Sequence, residues 1–165
     1  MLRGYYGPVT EVSTDGAPRR FDDAEVVSTP APMLIPRPPD ADRGVVIATR
    51  HPAMRRALWA VVEGTRGVAP LGAAGDLPDT MRLVLFTHPE LVLVDTSVLG
   101  GPGLAGLATL KAGAPAARIV VIGAGDHPAY AAQAREAGAF DYVVLDDAAE
   151  RVPEAILAAT SALQP

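Results

Sequence analysis

Four continuous apolar runs constrain this chain more than any other feature: Val45–Ala48, Leu91–Val94, Ile119–Ile122 and Tyr142–Leu145. Each is the length of one strand and too short for an average helix. A strand that is apolar at every position is buried on both faces, as parallel strands are. A weaker strand falls near 67–71. Helical segments fall between the strands, at about 52–63, 76–86, 103–112, 128–137 and 153–163. In the first of them Met54, Ala57, Leu58, Val61 and Val62 form the i, i+3, i+4 stripe of a helix lying on a sheet. This alternation predicts right-handed crossovers and an α/β fold with a doubly wound, five-stranded parallel sheet. In such a fold ligands bind where the strands end. That directs attention to Thr49–His51, Asp95–Ser97, Gly123–Asp126 and Leu145–Asp147.

Residues 1–43 read differently from the rest. They carry seven prolines, many charges and little apolar periodicity, and they form an extended or disordered arm ahead of a folded domain at 44–165. The Pro-rich stretch "STPAPMLIPRPPDADRG" has polyproline character, because each proline lacks a ladder donor. Asp15-Gly16 is a turn signal between short β-prone pieces, and an isolated hairpin needs a surface to lean on. Met33, Leu34 and Ile35 are the residues through which such an arm docks, on its own domain or on a partner.

Composition excludes several classes. There is no cysteine, hence no disulfide and no thiolate metal site, which fits a cytoplasmic protein. No apolar stretch approaches the ~20 residues of a membrane span, and the N-terminus lacks a signal-peptide core. The net charge of −5, with no basic block, argues against nonspecific nucleic-acid binding. Lys111 is the only lysine among fourteen basic residues.

"HPAMRRAL", "PELVLVDTSVLGGPGL" and "RIVVIGAGDHPAYAAQAREAGAFDYVVLDD", with the final helix, resemble the receiver domain of bacterial response regulators. The kind that precedes a helix-turn-helix output is the nearest in flavour. The likeness spans about residues 44–163 and rests on the order and spacing of these pieces, above all "EAGAFDYVV". It implies a flavodoxin-like fold and a non-enzymatic module of two-component signalling. An ordinary receiver takes a phosphoryl group onto an Asp ending its third strand. Two acidic residues ending the first strand hold Mg²⁺, and a hydroxyl residue and a lysine ending strands four and five bind phosphoryl oxygens.

By that resemblance Asp95 stands at the acceptor position. The acidic pair falls on Thr49 and Arg50, the hydroxyl residue on Gly123 and the lysine on Leu145. Leu99 stands where a proline is usual, while Gly100 and Gly103 are kept. A lone hydroxyl is a poor Mg²⁺ ligand and a guanidinium has no acceptor. The pocket reads as the remnant of a metal site, with no cofactor and no metal expected. Two arrangements of Arg50 are open: a fixed ion pair with Asp95, or a solvent-facing side chain with Asp95 bonded to nearby amides. Tyr142 matches the switch-aromatic position and, with no hydroxyl at Gly123 to couple it, reads as structural.

Other residues carry weaker signals. His51 begins a helix ahead of Pro52 as a surface side chain. His88 and His127 show no ligand spacing. "GAGDHP" at 123–128 is a loop rather than a dinucleotide fingerprint. Asp126, Asp146 and Asp147 are solvated or capping residues, and Ser97 and Ser161 have no placeable histidine partner. Trp59 lies off the core stripe of its helix and is a candidate anchor for a partner. Ile156 and Leu157 mark a second interaction face.

The function these readings imply is a phosphorylation-independent pseudo-receiver. It would act as a protein-interaction or dimerisation module, partnered by another protein or a second copy, without direct nucleic-acid contact or membrane association. With the chain ending at Pro165, any effect on transcription is expected to pass through a partner. The alternatives are a residual phospho-receiver using Asp95, a small-ligand sensor using the emptied pocket and, least favoured because no flavin loop or catalytic constellation is readable, a flavodoxin-like enzyme.

Overall fold

Alternate residues of each apolar run are sorted onto opposite faces of one sheet. Val45, Ile47, Leu91, Leu93, Val120 and Ile122 pack on one side, while Val46, Ala48, Val92, Val94, Ile119 and Val121 pack on the other. Side chains on a strand alternate between faces, so an uninterrupted apolar run is what a sheet buried on both sides requires. The computed structural model describes residues 33–37, 41–100 and 104–161.

Twelve segments follow in order: β1 (Met33–Leu34), β2 (Arg43–Ala48), α1 (Pro52–Gly64), β3 (Val68–Ala74), α2 (Leu77–Thr87), β4 (Leu91–Asp95), α3 (Ala105–Gly113), β5 (Arg118–Gly123), α4 (Pro128–Glu136), β6 (Asp141–Val144), a 3-10 turn (Leu145–Asp147) and α5 (Ala148–Ser161). The strand order is β1-β3-β2-β4-β5-β6. Strands β2 to β6 are parallel, which is the expected five-stranded doubly wound sheet, and β1 joins antiparallel to β3. Leu58 and Val62 of α1 and Val152, Ala155, Ile156 and Ala159 of α5 cover one face. Leu83 and Val84 of α2, Leu107 and Leu110 of α3 and Ala134 of α4 cover the other. The strand order reverses between β2 and β4, so their C-terminal ends, Thr49 and Asp95, form the crevice.

The sixth strand comes from the segment assigned to the arm. Met33 pairs with Ala73 and Leu34 with Gly72, and the Ile35 N–H donates to the Leu71 carbonyl at 2.8 Å. Two residues further, the Arg37 guanidinium grips Glu90 with both nitrogens at 3.1 and 2.6 Å, and the Gly44 N–H donates to the same carboxylate at 2.6 Å. The strap thus covers the β3 edge, which would otherwise present unpaired backbone groups. The strand near 67–71 runs on to Ala74, with an irregular register at Val45/Val46 that leaves Leu71 as the extra residue. Pro70 sits beside that bulge, where a missing donor does least harm. The Asp15-Gly16 turn and Gly103 lie outside the described residues.

Two expectations about the last helix are corrected. It begins at Ala148 rather than Pro153, fed by the 3-10 turn, and Pro153 lies inside it. Val152, fully buried one residue earlier, anchors the first turn and offsets the single backbone donor lost at Pro153. Ile156 is not an interaction residue. It is fully buried on the Val152, Ile156, Ala159 stripe facing the sheet, whereas Leu157, one helix position round, is 52% exposed. No helix among the described residues is long and apolar enough to cross a membrane.

Candidate functional site

Asp95 ends β4 with only 7% of its surface exposed, and its carboxylate is already engaged. The Thr49 hydroxyl, fully buried at the end of β2, donates to Oδ2 at 3.0 Å. The Ser97 hydroxyl donates to the same oxygen at 2.5 Å, and the Ser97 N–H reaches Oδ1 at 3.2 Å. Thr96 lies 3.4 Å from Oδ1 through its hydroxyl. Local structure explains the convergence. The Thr49 N–H donates to the Ala74 carbonyl, which prolongs the β2–β3 ladder and holds Thr49 in the crevice. After Asp95 the chain turns, with Val98 N–H bonded to the Asp95 carbonyl, and this folds Ser97 back over the carboxylate.

Arg50 takes no part in this arrangement. It is exposed and forms no ion pair with Asp95, so the second of the two open arrangements holds for it. The reason is the pleat: Thr49 and Arg50 point in opposite directions, and Thr49 takes the inward place. Hydroxyls, which sequence reasoning did not bring to Asp95, do the work expected of a guanidinium or of amides alone. His51 places its Nε2 3.8 Å from Asp95 Oδ2, with the side chain 67% exposed. It heads α1 as expected, with Pro52 in the first turn and no side-chain cap. Ser97 was legible only as a short polar residue two places after a strand-ending Asp, the pattern of a side-chain-capped turn.

Gly123 ends β5 next to the ring of Tyr142. A Cβ placed on Gly123 would lie 2.3 Å from the phenol oxygen, so the tyrosine fills the space the glycine leaves. From there the Tyr142 hydroxyl donates to the Gly125 carbonyl at 3.0 Å. Burial pushes the phenol above its usual value, with Tyr130 nearby acting in the same direction. The fold therefore favours the neutral phenol. That contribution is intact below the unfolded value of 10.0 and is lost as pH rises through the folded one. Gly123→Thr should swing the ring out and break the bond to Gly125. The checks are an ultraviolet titration in which the raised tyrosine falls back toward its usual value, and a loss of stability of about 1–2 kcal/mol. An unchanged titration would show that the ring does not depend on the glycine.

The remaining positions are scattered. Leu145 is 42% exposed at the start of the 3-10 turn, and Asp126, Asp146 and Asp147 are exposed. Among the described residues no three His, Cys, Asp or Glu side chains gather as a metal site. Lys111 is turned to the opposite end of the sheet, where its ammonium donates to the Pro115 and Ala117 carbonyls at 3.0 Å each. Trp59 is half-buried on the edge of α1. The His127 side chain accepts the Ala129 N–H at the start of α4, so "GAGDHP" is a capped loop.

Comparison with known proteins places these features. The family described as the response regulator receiver domain matches residues 45–156. The uncharacterized transcriptional regulatory protein YxjL of Bacillus subtilis is 27% identical over 115 residues, which cover 70% of this chain and 53% of the relative. The chain thus spans about half the length of that relative. A two-component response regulator of the LuxR family from Aurantimonas is 31% identical, with a TM-score of 0.63 over 72% of this chain and 86% of that one. A DNA-binding response regulator of the LuxR family from Staphylococcus aureus, 20% identical, shares the fold at a TM-score of 0.62 over 71% of this chain and 98% of that one.

These findings overturn the expectation that nucleic acid is no partner. The chain is similar to a transcriptional regulatory protein and to a response regulator described as DNA-binding. The net charge of a receiver carries no information about DNA contacts made by other polypeptide, and the position of Pro165 carries none either.

Proposed function

The chain belongs to the response regulator receiver family, and on that premise we propose that it signals through protein contacts without a phosphoryl group on Asp95. One observation carries the reading: the Asp95 carboxylate is occupied by the Thr49 and Ser97 hydroxyls. A phosphoryl group arriving at Oδ2 would have to displace both, and one arriving at Oδ1 would have to displace the Ser97 N–H. The donor set also suits magnesium poorly. It offers one carboxylate, a hydroxyl already committed to it and an exposed guanidinium, whereas the ion favours carboxylates beside phosphate oxygens. Nothing at Gly123 or Leu145 replaces the hydroxyl and the ammonium that would hold phosphoryl oxygens.

Protein contact would then fall to apolar side chains that reach the surface, and the half-buried Trp59 on the α1 edge and the exposed Leu157 on α5 supply them. A small-ligand reading is weaker. Tyr142 fills the room at Gly123, which leaves a cleft of about 190 Å³ between Thr96, Leu104, Gly125, Tyr130 and Tyr142. That is below the usual range of ligand pockets. How the receiver is joined to an output is open to DNA-binding polypeptide as well as to a separate partner.

The test is incubation with acetyl phosphate and Mg²⁺, or with beryllofluoride. The expected result is an unchanged mass and an unchanged amide spectrum. Stoichiometric, Mg²⁺-dependent modification of Asp95 would falsify the proposal.

A further inference from the structure

A groove of about 380 Å³ runs along α1, lined by Arg55, Arg56, Trp59, Ala60, Glu63 and the β3 residue Ala73. Three features give it a definite chemistry. The half-buried Trp59 indole and Ala60 form an apolar wall. Arg55 and Arg56 stand at the end nearest the start of α1, and Glu63 stands two turns further down. Arg55 spends one guanidinium nitrogen on the Thr49 carbonyl at 2.9 Å, while its buried Nε has no hydrogen-bond partner. A groove built this way fits an extended peptide with carboxylates first, an apolar side chain in the middle and a cation at the far end.

The chain delivers such a peptide to that place. Met33 is paired with Ala73, which itself lines the groove, and β1 runs antiparallel to β3. At Met33 the described strand therefore starts at the end of the sheet where α1 begins. Reading backwards from Met33, the sequence gives Val27, Val26, Glu25, Asp23, Asp22, Phe21, Arg20 and Arg19. Residues 28–32 provide a spacer that reaches up to about 17 Å at ~3.3 Å per residue, enough to enter a groove that starts beside Ala73. On α1, Arg56 and Glu63 are about 10 Å apart at ~1.5 Å per residue. On an extended strand Asp23 and Arg20 are separated by about the same distance, ~10 Å.

We propose that the α1 groove is the docking site of the chain's own acidic segment, Phe21 to Val27. Asp22, Asp23 and Glu25 meet Arg55 and Arg56, Phe21 lies against Trp59, and Arg19 or Arg20 meets Glu63. The inference rests on the reading of the α1 face as an interaction surface. It is independent of Asp95, so the phosphorylation test and the one below fail separately.

Trp59 is the only tryptophan in the chain, so its fluorescence reports on the groove directly. The experiment is acrylamide quenching of the full chain, beside an Asp22→Lys/Asp23→Lys/Glu25→Lys variant and a variant with residues 19–27 scrambled at constant composition. Both changes lie outside the described sheet and helices. Each is expected to raise the quenching constant about two-fold, the size of shift that losing a few surface ion pairs imposes on a two-state contact. Salt at about 1 M, where the screening length falls to about 3 Å, should raise the wild-type value and leave the variants unchanged. Variants that quench like the wild type overturn the proposal. So does protection that grows with protein concentration, because the occupant would then be a second copy.

Discussion

Ile156→Ala is expected to lower the unfolding free energy by about 2–5 kcal/mol, the range for emptying a fully buried branched side chain. Ile156 is fully buried against the face of the sheet formed by Val45, Ile47, Leu93 and Ile122. Its neighbour Leu157 is 52% exposed, so Leu157→Ala should change stability by no more than about 0.5 kcal/mol. Denaturant unfolding of the two variants separates the cases, with the slope checked against the wild type. Equal costs would mean that α5 is rotated from the orientation described and that Ile156 faces outward after all. The same pair decides the partner face: only Leu157→Ala is fit to test binding, because the Ile156 change confounds binding with folding.

Thr49→Val should cost about 1–3 kcal/mol, although the two side chains have nearly the same shape. The change removes a donor from a carboxylate that is almost out of water, and Asp95, with only 7% of its surface exposed, has little with which to recruit a replacement. It also removes the acceptor of the His51 N–H at 3.2 Å. Arg50→Ala, by contrast, should lie within about 0.5 kcal/mol of the wild type, as an exposed side chain without an ion pair does. Denaturation of the two variants and of the double variant gives the coupling, expected to be near zero. A large cost at Arg50 with a small one at Thr49 would restore the ion pair and remove the hydroxyls from the account of the pocket.

The fold was legible because its signal is redundant. Four apolar runs and the spacing of Leu58 and Val62 each point to a sheet covered on both faces, and the observed strands and helices follow them to within a few residues. Boundaries slipped where local chemistry and packing disagree. Pro153 reads as a helix start, yet buried Val152 holds the turn ahead of it in helical form. The β3 strand reads as weak because Pro70 and Gly72 interrupt it, and its edge is completed only by β1.

The candidate site was half legible. Asp95, Thr49 and Gly123 are recognisable by position along the chain, since the ends of parallel strands meet in a doubly wound sheet. Ser97 and the Arg37–Glu90 pair were not, because both depend on where a turn or a strap returns in space. Sequence alone determined which residues are apolar, in what period, and hence the strand-and-helix order, while the reading of Thr49, Arg50, Gly123 and Leu145 as altered receiver positions came only from the resemblance. Tertiary structure decided which side each of those residues faces: Thr49 inward and Arg50 outward, Ile156 inward and Leu157 outward, Tyr142 over Gly123. The physical reason is that neighbours in sequence differ by half a turn on a strand and by about 100° on a helix. Only packing against the rest of the chain fixes which of them is buried.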